Sequence, residues 1–340
     1  MLRSKIFIAA TTCALLATAS CKKDGKDGAA GGSGAAAMAG PAAASGFAFP
    51  KETGVMFGFS FSKLKSSKLW SMIEAQAMNN PEFKDGLAEA KAECNIDALT
   101  AVDSVTVAIE SMEMKDDKAV IIVLKTNLKE QQVNDCITKM AAKKGDKKVM
   151  TKKDGKITEY GVEGDSDKVW AAWLDGSVVF SPKQELLKKS LDGSSNIKDN
   201  AVMSALLGKV DTGGMLYGAI TVPAGGSAAS QFEALGAKPD GIYFSLSLTK
   251  ELDGNAGLRF ANDADAKKTA DMINQQLESQ KANPMIGEYL KGVAIAAAGT
   301  DTTIKVKLTE QQIDSLVAMA QMMMPGGGGG GMGGPPPGGM

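Results

Sequence analysis

Histidine is absent from this chain of 340 residues, and the arginines are Arg3 and Arg259 alone. Without histidine there is no Ser-His-Asp triad, no imidazole general base and no imidazole metal ligand. With so few arginines, the chain has little of the forked guanidinium chemistry that grips phosphate and carboxylate groups. The sequence therefore predicts no catalytic residue, no metal site and no cofactor.

No charge of either sign is in excess. Lysine and arginine total 38 and aspartate and glutamate total 39, which gives a formal net charge of −1. A nucleic-acid-binding protein normally carries an excess of clustered positive charge, so no nucleic-acid partner is predicted. Apolar residues make up 44% of the chain, enough for the core of one large domain or two modest ones.

A signal-peptide pattern opens the sequence. Arg3 and Lys5 precede an apolar run over residues 6–16, and small residues follow up to Cys21. The run is shorter than the roughly 20 residues of a membrane-spanning helix. Ala19-Ser20-Cys21 resembles the lipobox of bacterial lipoproteins, in which cleavage precedes the cysteine, although Thr18 stands where that family usually has leucine. That resemblance implies a signal peptide over 1–20 and a lipidated Cys21, which would be the chain's contact with a membrane.

The residue after Cys21 bears on the destination of the chain. It is Lys22 and not the aspartate that retains lipoproteins of enteric bacteria in the inner membrane. The resemblance therefore implies a lipid-anchored protein of the bacterial cell envelope, at the outer membrane. An ordinary signal peptide with a cysteine nearby is the alternative interpretation.

Low-complexity segments flank the central part of the chain. Residues 21–46 comprise Cys21 and a stretch rich in alanine and glycine, which predicts a flexible tether. Residues 325–340 are glycine, proline and methionine only, which predicts a disordered tail. The folded body is expected between residues 47 and 324.

Three similarities recur in the same order within this body and predict an internal duplication. The first half is expected over residues 47–212 and the second over 213–324. Each half reads as a strand, a helix, a strand pair, a helix, a strand pair and a helix. The matched segments are Gly54–Gly58 with Gly214–Gly218, Asp103–Ile109 with Asp240–Leu246, and Val169–Leu187 with Val293–Asp314.

Periodicity predicts the fold class. Val105, Val107 and Ile109 alternate with small or polar residues, as in a half-buried strand, whereas residues 120–124 are apolar throughout and suit a central strand. Stripes of apolar residues at steps of three and four predict amphipathic helices, for example from Val133 to Met140. We expect an α+β fold of mainly antiparallel sheets, with the helices packed on one face.

Two cysteines remain in the predicted body. Cys94 shares a helical face with Phe83, Leu87 and Ala90, and Cys136 lies on the stripe of the next long helix. An envelope compartment permits disulfides, so we predict a bridge between Cys94 and Cys136. Two buried thiols that act as small apolar groups are the alternative.

A Ser-x-x-Lys pattern occurs twice, at Ser60 with Lys63 and at Ser62 with Lys65. In penicillin-binding proteins and β-lactamases this pattern is accompanied by Ser-Asp-Asn and Lys-Thr-Gly tripeptides, and this sequence contains neither. Solvated surface after a strand is therefore the favoured interpretation.

The segment Glu93–Asp97 resembles a group of uncharacterised lipoproteins of δ-proteobacteria. In that group a helix ends in Glu-Cys-Gly-Ile-Asp and a second cysteine follows in the next helix. Cys94 and Cys136 occupy those places, and Asn95 stands where the group has glycine. The resemblance implies an envelope lipoprotein with a disulfide and implies no activity.

These observations favour a non-enzymatic envelope lipoprotein that binds another envelope component or supports its assembly. One alternative is a carrier that holds an apolar ligand or lipid between a sheet and its helices. The other is a hydrolase that uses serine and lysine.

Overall fold

The computed structural model describes residues 47–67, 69–110, 119–144, 148–223, 232, 236–284 and 286–323. The predicted signal peptide, Cys21, the tether and the C-terminal tail lie outside these residues. No helix within the described ranges combines the length and the apolar character needed to cross a membrane.

Twelve strands form one antiparallel sheet, so the predicted α+β class with mainly antiparallel pairing is confirmed. The spatial order is β11-β12-β10-β9-β8-β1-β2-β3-β7-β6-β5-β4. The strands are β1 (Val55–Ser60), β2 (Val102–Ile109), β3 (Val120–Thr126), β4 (Val149–Asp154), β5 (Ile157–Val162), β6 (Lys168–Leu174), β7 (Ser177–Ser181), β8 (Leu216–Thr221), β9 (Gly241–Leu248), β10 (Leu252–Arg259), β11 (Val293–Ala298) and β12 (Asp301–Leu308).

Ten α-helices lie within the described residues, with a 3₁₀ turn at Ile197–Asp199. The helices are α1 (Phe61–Lys65), α2 (Leu69–Met78), α3 (Pro81–Cys94), α4 (Ala98–Ala101), α5 (Glu130–Lys144), α6 (Gln184–Asp192), α7 (Ala201–Leu207), α8 (Asp263–Lys281), α9 (Gly287–Leu290) and α10 (Glu310–Met323).

The two parts of the chain share this sheet and meet where β1 pairs with β8. Moving outward from that pair, the order is β1-β2-β3-β7-β6 on one side and β8-β9-β10-β12-β11 on the other. The hairpin β4-β5 extends the first side by two strands. Each side therefore contains a strand, a strand pair and a further strand pair in the same succession.

The two sides differ in register and in their last helices. Gly58 pairs with Tyr217, and Gly218 pairs with Phe57, so the two glycines that the sequence comparison aligned point to opposite faces of the sheet. The helices after the last strand pairs, α6 and α10, also pack on opposite faces. The strand order of the two sides is thus alike, whereas this alignment of side chains is not.

The expectation that the helices pack on one face is wrong. Leu187 of α6 and Met203 of α7 pack with Val123, whereas Cys136 of α5 packs with Leu124 on the other side of β3. The physical reason is the composition of the inner strands, which are apolar at both odd and even positions and need cover on both faces. We call the side under α6 and α7 the α7 face, and the other side the α5 face.

Most helices lie on the α5 face in two groups. One group contains α3, α4 and α5, which pack over β2, β3, β6 and β7. The other contains α1, α2, α9 and α10, which pack over β1, β9, β10 and β12. The long helix α8 lies on the same face, because the hydroxyl of Thr302 donates a 2.7 Å hydrogen bond to the carbonyl of Ala266.

Helix α3 ends at a turn formed by Asn95, the residue that replaces the glycine of the Glu-Cys-Gly-Ile-Asp pattern. Asn95 caps this helix in the left-handed region with a φ of 52°, and its N–H donates to the carbonyls of Ala90 and Lys91. Asparagine tolerates this conformation better than most residues, and glycine is its usual occupant. The turn is therefore formed although Asn95 replaces the glycine of the Glu-Cys-Gly-Ile-Asp pattern.

Candidate functional site

On β2 the small residues are buried and the larger apolar residues are half-buried, although β3, β8 and β9 also bury large residues on the same face, namely Ile121, Tyr217 and Tyr243. On β2, Thr106 and Ala108 are each 3% exposed, whereas Val107 and Ile109 between and beside them are half-buried. On β1, Met56 is 7% exposed and its neighbour Phe57 is 38% exposed. The alternation of β2 was correctly predicted, but the face with the greater burial is the one with the smaller side chains.

The packing of Tyr217 on the α7 face explains why the smaller side chains of β1 and β2 are the more buried ones. A Cβ atom placed on Gly58 would lie 2.1 Å from the Tyr217 ring, so the ring occupies the space above that glycine. The Tyr217 hydroxyl and the Thr106 hydroxyl are 3.0 Å apart and share a hydrogen bond. Burial raises the pKa of Tyr217, and the hydrogen bond with Thr106 opposes that shift. On the α7 face the Tyr217 ring thus covers the small residues Gly58 and Thr106.

On the α5 face the corresponding positions form what we call the apolar strip. It consists of two cross-strand rows over six neighbouring strands, β3, β2, β1, β8, β9 and β10. Every member is apolar or glycine, and all but the glycine are half-buried or exposed. The rows are Ile122, Val107, Phe57, Gly218, Phe244 and Ala256, followed by Val120, Ile109, Val55, Ile220, Ile242 and Leu258.

Helices border this strip on two sides. The next row along the strands includes Leu124, Phe59 and Leu246, which pack in the clusters beneath the two helix groups. At the β10 end, Leu258 pairs with Thr302, which is bonded to α8. The strip therefore lies in a recess, because a helix with its side chains stands about 10–12 Å above a sheet.

The serines and lysines of the two Ser-x-x-Lys patterns lie where β1 passes into α1. The hydroxyl oxygens of Ser60 and Ser62 are 3.1 Å apart. Burial acts to raise the pKa of Asp103, but hydrogen bonds from Ser62 and Lys125 outweigh it and leave that pKa below its usual value. The structure thus brings Ser60, Ser62 and Asp103 together, with Lys65 close enough to contribute its charge.

Lys65 is engaged in another contact. Its Nζ donates a 2.6 Å hydrogen bond to the carbonyl of Leu99 in the short helix α4. Burial lowers its pKa, and the charges of Asp103 and Asp97 oppose the shift. A catalytic lysine would have to accept the proton of the serine hydroxyl. Here the Ser62 hydroxyl is directed to a carboxylate and the lysine to a carbonyl, an arrangement that anchors α1 and α4.

The two cysteines of the body form the predicted pair. Cys94 and Cys136 have their sulfur atoms at disulfide distance and their Cα atoms 5.0 Å apart. Cys136 is 4% exposed and packs with Val102, Leu124 and Ala171 on the α5 face. The pair connects the end of α3 to α5. Cys21, the predicted lipidation site, lies outside the described residues.

A crevice on the α7 face lined by Pro50, Glu52, Ala108 and Ile121 has a free volume of about 10 Å³, the room of one water molecule. Within the described part of the chain, no group of three or more cysteine, aspartate or glutamate side chains is placed so that it could hold a metal ion.

The apolar strip was not predicted from the sequence. Its signal was present, since β1, β2 and β9 each alternate large apolar residues with glycine, serine, threonine or alanine at several positions. That pattern predicts a buried apolar row in each strand separately. Only the neighbouring strands and helices determine that the row remains accessible.

No protein-family description matches the chain, and no curated protein matches it significantly. The function must therefore be inferred from the geometry of the chain itself.

Proposed function

We propose that this chain is a lipid-anchored protein of the bacterial cell envelope that acts by binding, and that the apolar strip is its recognition surface. The observation that carries the proposal is the inverted burial of β1 and β2. Phe57 is 38% exposed in the interior of the sheet, whereas Thr106 is 3% exposed. Leaving large apolar side chains accessible while burying a threonine costs stability, and such accessible surface is typical of interaction sites.

The anchoring part of the proposal rests on the N-terminal sequence. Cleavage before Cys21 and acylation of its thiol would leave residues 22–46 as a tether, with a random-coil reach of roughly 25–30 Å. The folded body would then lie near the membrane surface, which we take to be the outer membrane. Replacing Cys21 with serine should move the protein from the membrane fraction to the soluble fraction. Unchanged membrane retention without acyl mass on the N-terminal peptide would contradict the anchor.

We also infer that the body arose by duplication into halves at 47–212 and 213–324. The like strand order on either side of the β1–β8 pair supports this origin. The opposite orientations of Gly58 and Gly218 indicate that the strands shifted by one residue afterwards, or that another alignment of β1 with β8 is the ancestral one.

Site-specific crosslinking in intact cells tests the binding function. A photoreactive residue at position 57 should give an adduct that mass spectrometry identifies. The same residue at Met150 should not give that adduct, because Met150 is a 50% exposed apolar residue on the edge strand β4, away from the strip. Equal adducts at both positions, or none at position 57, would contradict recognition by the strip.

A hydrolase that uses serine and lysine remains the second candidate, since Ser60, Ser62, Lys65 and Asp103 are grouped in space. Replacement of Ser60, Ser62, Lys63 and Lys65 with alanine separates the two functions. Under the binding proposal this variant keeps the position-57 adduct if it folds. Turnover of a peptidoglycan or ester substrate by the wild type, abolished in the variant, would establish the enzyme instead.

A further inference from the structure

We propose that the ligand of the apolar strip is the acyl chain of one membrane lipid, laid along the strip. This inference rests on the proposed function and adds the chemistry of the ligand.

The strip offers no hydrogen-bonding group. Its twelve positions carry ten aliphatic or aromatic side chains besides one alanine and one glycine, and all six strands are interior, with neighbours on both sides. Their backbone amides and carbonyls lie in the plane of the sheet and are paired there, except on the β7 side of Val120, because β3 pairs with β7 only from Ile122 onward. A peptide or sugar in this recess would leave polar groups without partners, at a cost in free energy. A hydrocarbon chain has no such groups.

The dimensions fit a single chain better than a second protein. Five spacings between strands make the strip about 24 Å long, and two rows make it about 14 Å wide. One acyl chain spans about 15 Å, half of the hydrocarbon thickness of a bilayer. A second copy stacked on the strip would bury only about 700 Å² in total, below the 1,200–2,000 Å² of stable interfaces. The bordering helices also keep a flat protein surface away from it.

The predicted anchor brings the strip to a source of such chains. The folded body begins at Phe47, and the 25 residues before it would place the body at a root-mean-square distance of roughly 30 Å from the acylated Cys21. Membrane lipid is the apolar substance available at that distance. We therefore infer a lipid of the membrane in which the chain is anchored, and not the acyl group of another lipoprotein.

The test uses the full chain with Cys21→Ser, which carries no acyl group of its own. The chain is incubated with phosphatidylglycerol vesicles, the vesicles are removed by centrifugation, and the phospholipid retained by the protein is measured by mass spectrometry. The Cys21→Ser protein with an otherwise unchanged strip should retain lipid. Phe57→Asp should retain about tenfold less, because a carboxylate would be buried against hydrocarbon. The control variant, Met150→Asp, should retain as much as the parent.

A second measurement does not depend on the folding of the aspartate variant. Phe57→Trp adds a fluorophore within the strip, and Met150→Trp adds one outside it. Phosphatidylglycerol with brominated acyl chains should quench the added fluorescence of the first variant and not of the second. Equal quenching at both positions would indicate general adsorption and would overturn the proposal.

The remaining outcomes separate this inference from the function beneath it. If no lipid is retained while the position-57 adduct in cells is an identified protein, the acyl ligand is wrong and recognition by the strip stands. If that adduct is the acylated peptide of another lipoprotein, the source of the chain is wrong. If position 57 gives neither lipid nor adduct, both proposals fail. A stable dimer that Phe57→Asp dissociates would assign the strip to a second copy.

Discussion

Separate replacement of Met56 and Phe57 with alanine tests whether the apolar strip is open in solution. The two residues are neighbours on β1 and point to opposite faces. Met56 is 7% exposed and packs in the cluster with Leu187 and Met203, whereas Phe57 is 38% exposed. If both faces were closed, the larger phenylalanine would contribute more to stability.

The expected free energies reverse that order. Truncating a buried methionine to alanine costs about 2–5 kcal/mol, and truncating a fully buried phenylalanine costs about 3–5 kcal/mol. Phe57 already has more than a third of its surface in solvent. Its truncation also leaves no closed cavity, because the strip is a recess. We expect a loss of about 3 kcal/mol for Met56→Ala and about 1 kcal/mol for Phe57→Ala.

Urea unfolding at equilibrium measures both losses, with the Cys21→Ser chain as the parent and tryptophan fluorescence as the signal. Val202→Ala is a suitable control, since Val202 is 42% exposed on α7 and should cost less than about 0.5 kcal/mol. A cost for Phe57→Ala equal to or above that of Met56→Ala would refute the reasoning. It would mean that the strip is closed by protein in solution, and the proposed binding surface would be lost with it.

Three further predictions follow from named contacts. Joint replacement of Cys94 and Cys136 with serine should lower the free energy of unfolding by about 4 kcal/mol, the value given by the chain-entropy model. Peptide mapping of the wild type without reductant should recover the two cysteines linked. Asp103 has a lowered pKa, so its stabilising contribution is present above the unfolded-state pKa of about 4 and is lost as the pH falls through the folded value. Between pH 6 and pH 3, the Asp103→Asn variant should therefore lose less stability in urea melts than the wild type. Equal losses in the two proteins would contradict this prediction. Gly58→Val should destabilise the fold by more than about 2 kcal/mol, because its side chain would overlap the Tyr217 ring, and an unchanged melting temperature would show that the ring can move away.

Much of the fold could be predicted because it depends on local periodicity. The alternation of β2, the apolar run of β3 and the stripe of α5 follow from spacing within one segment, and each segment has the expected element. The pairing of Cys94 with Cys136 was predictable for the same reason. Both sit on inward faces of long helices, and no other cysteine competes within the body.

The placement of the helices on two faces could not be predicted in this way. Leu187 of α6 and Ile313 of α10 follow similar strand pairs, yet they pack on opposite sides of the sheet. A helix of this kind has one apolar stripe, which can meet either face of a strand that is apolar on both. Which face it meets depends on the space that the other helices leave.

The sequence by itself determined the absence of histidine chemistry, the α+β elements and the cysteine pair, and it predicts a signal peptide and an anchor. These depend on composition and on spacing of a few residues. Only the tertiary structure decided that Val107 is accessible while Thr106 is buried. The physical reason is that burial is a property of neighbours. Tyr217 and α7 lie more than 90 residues away in sequence, and they close one face of β2 while the helices on the other face leave the apolar strip between them.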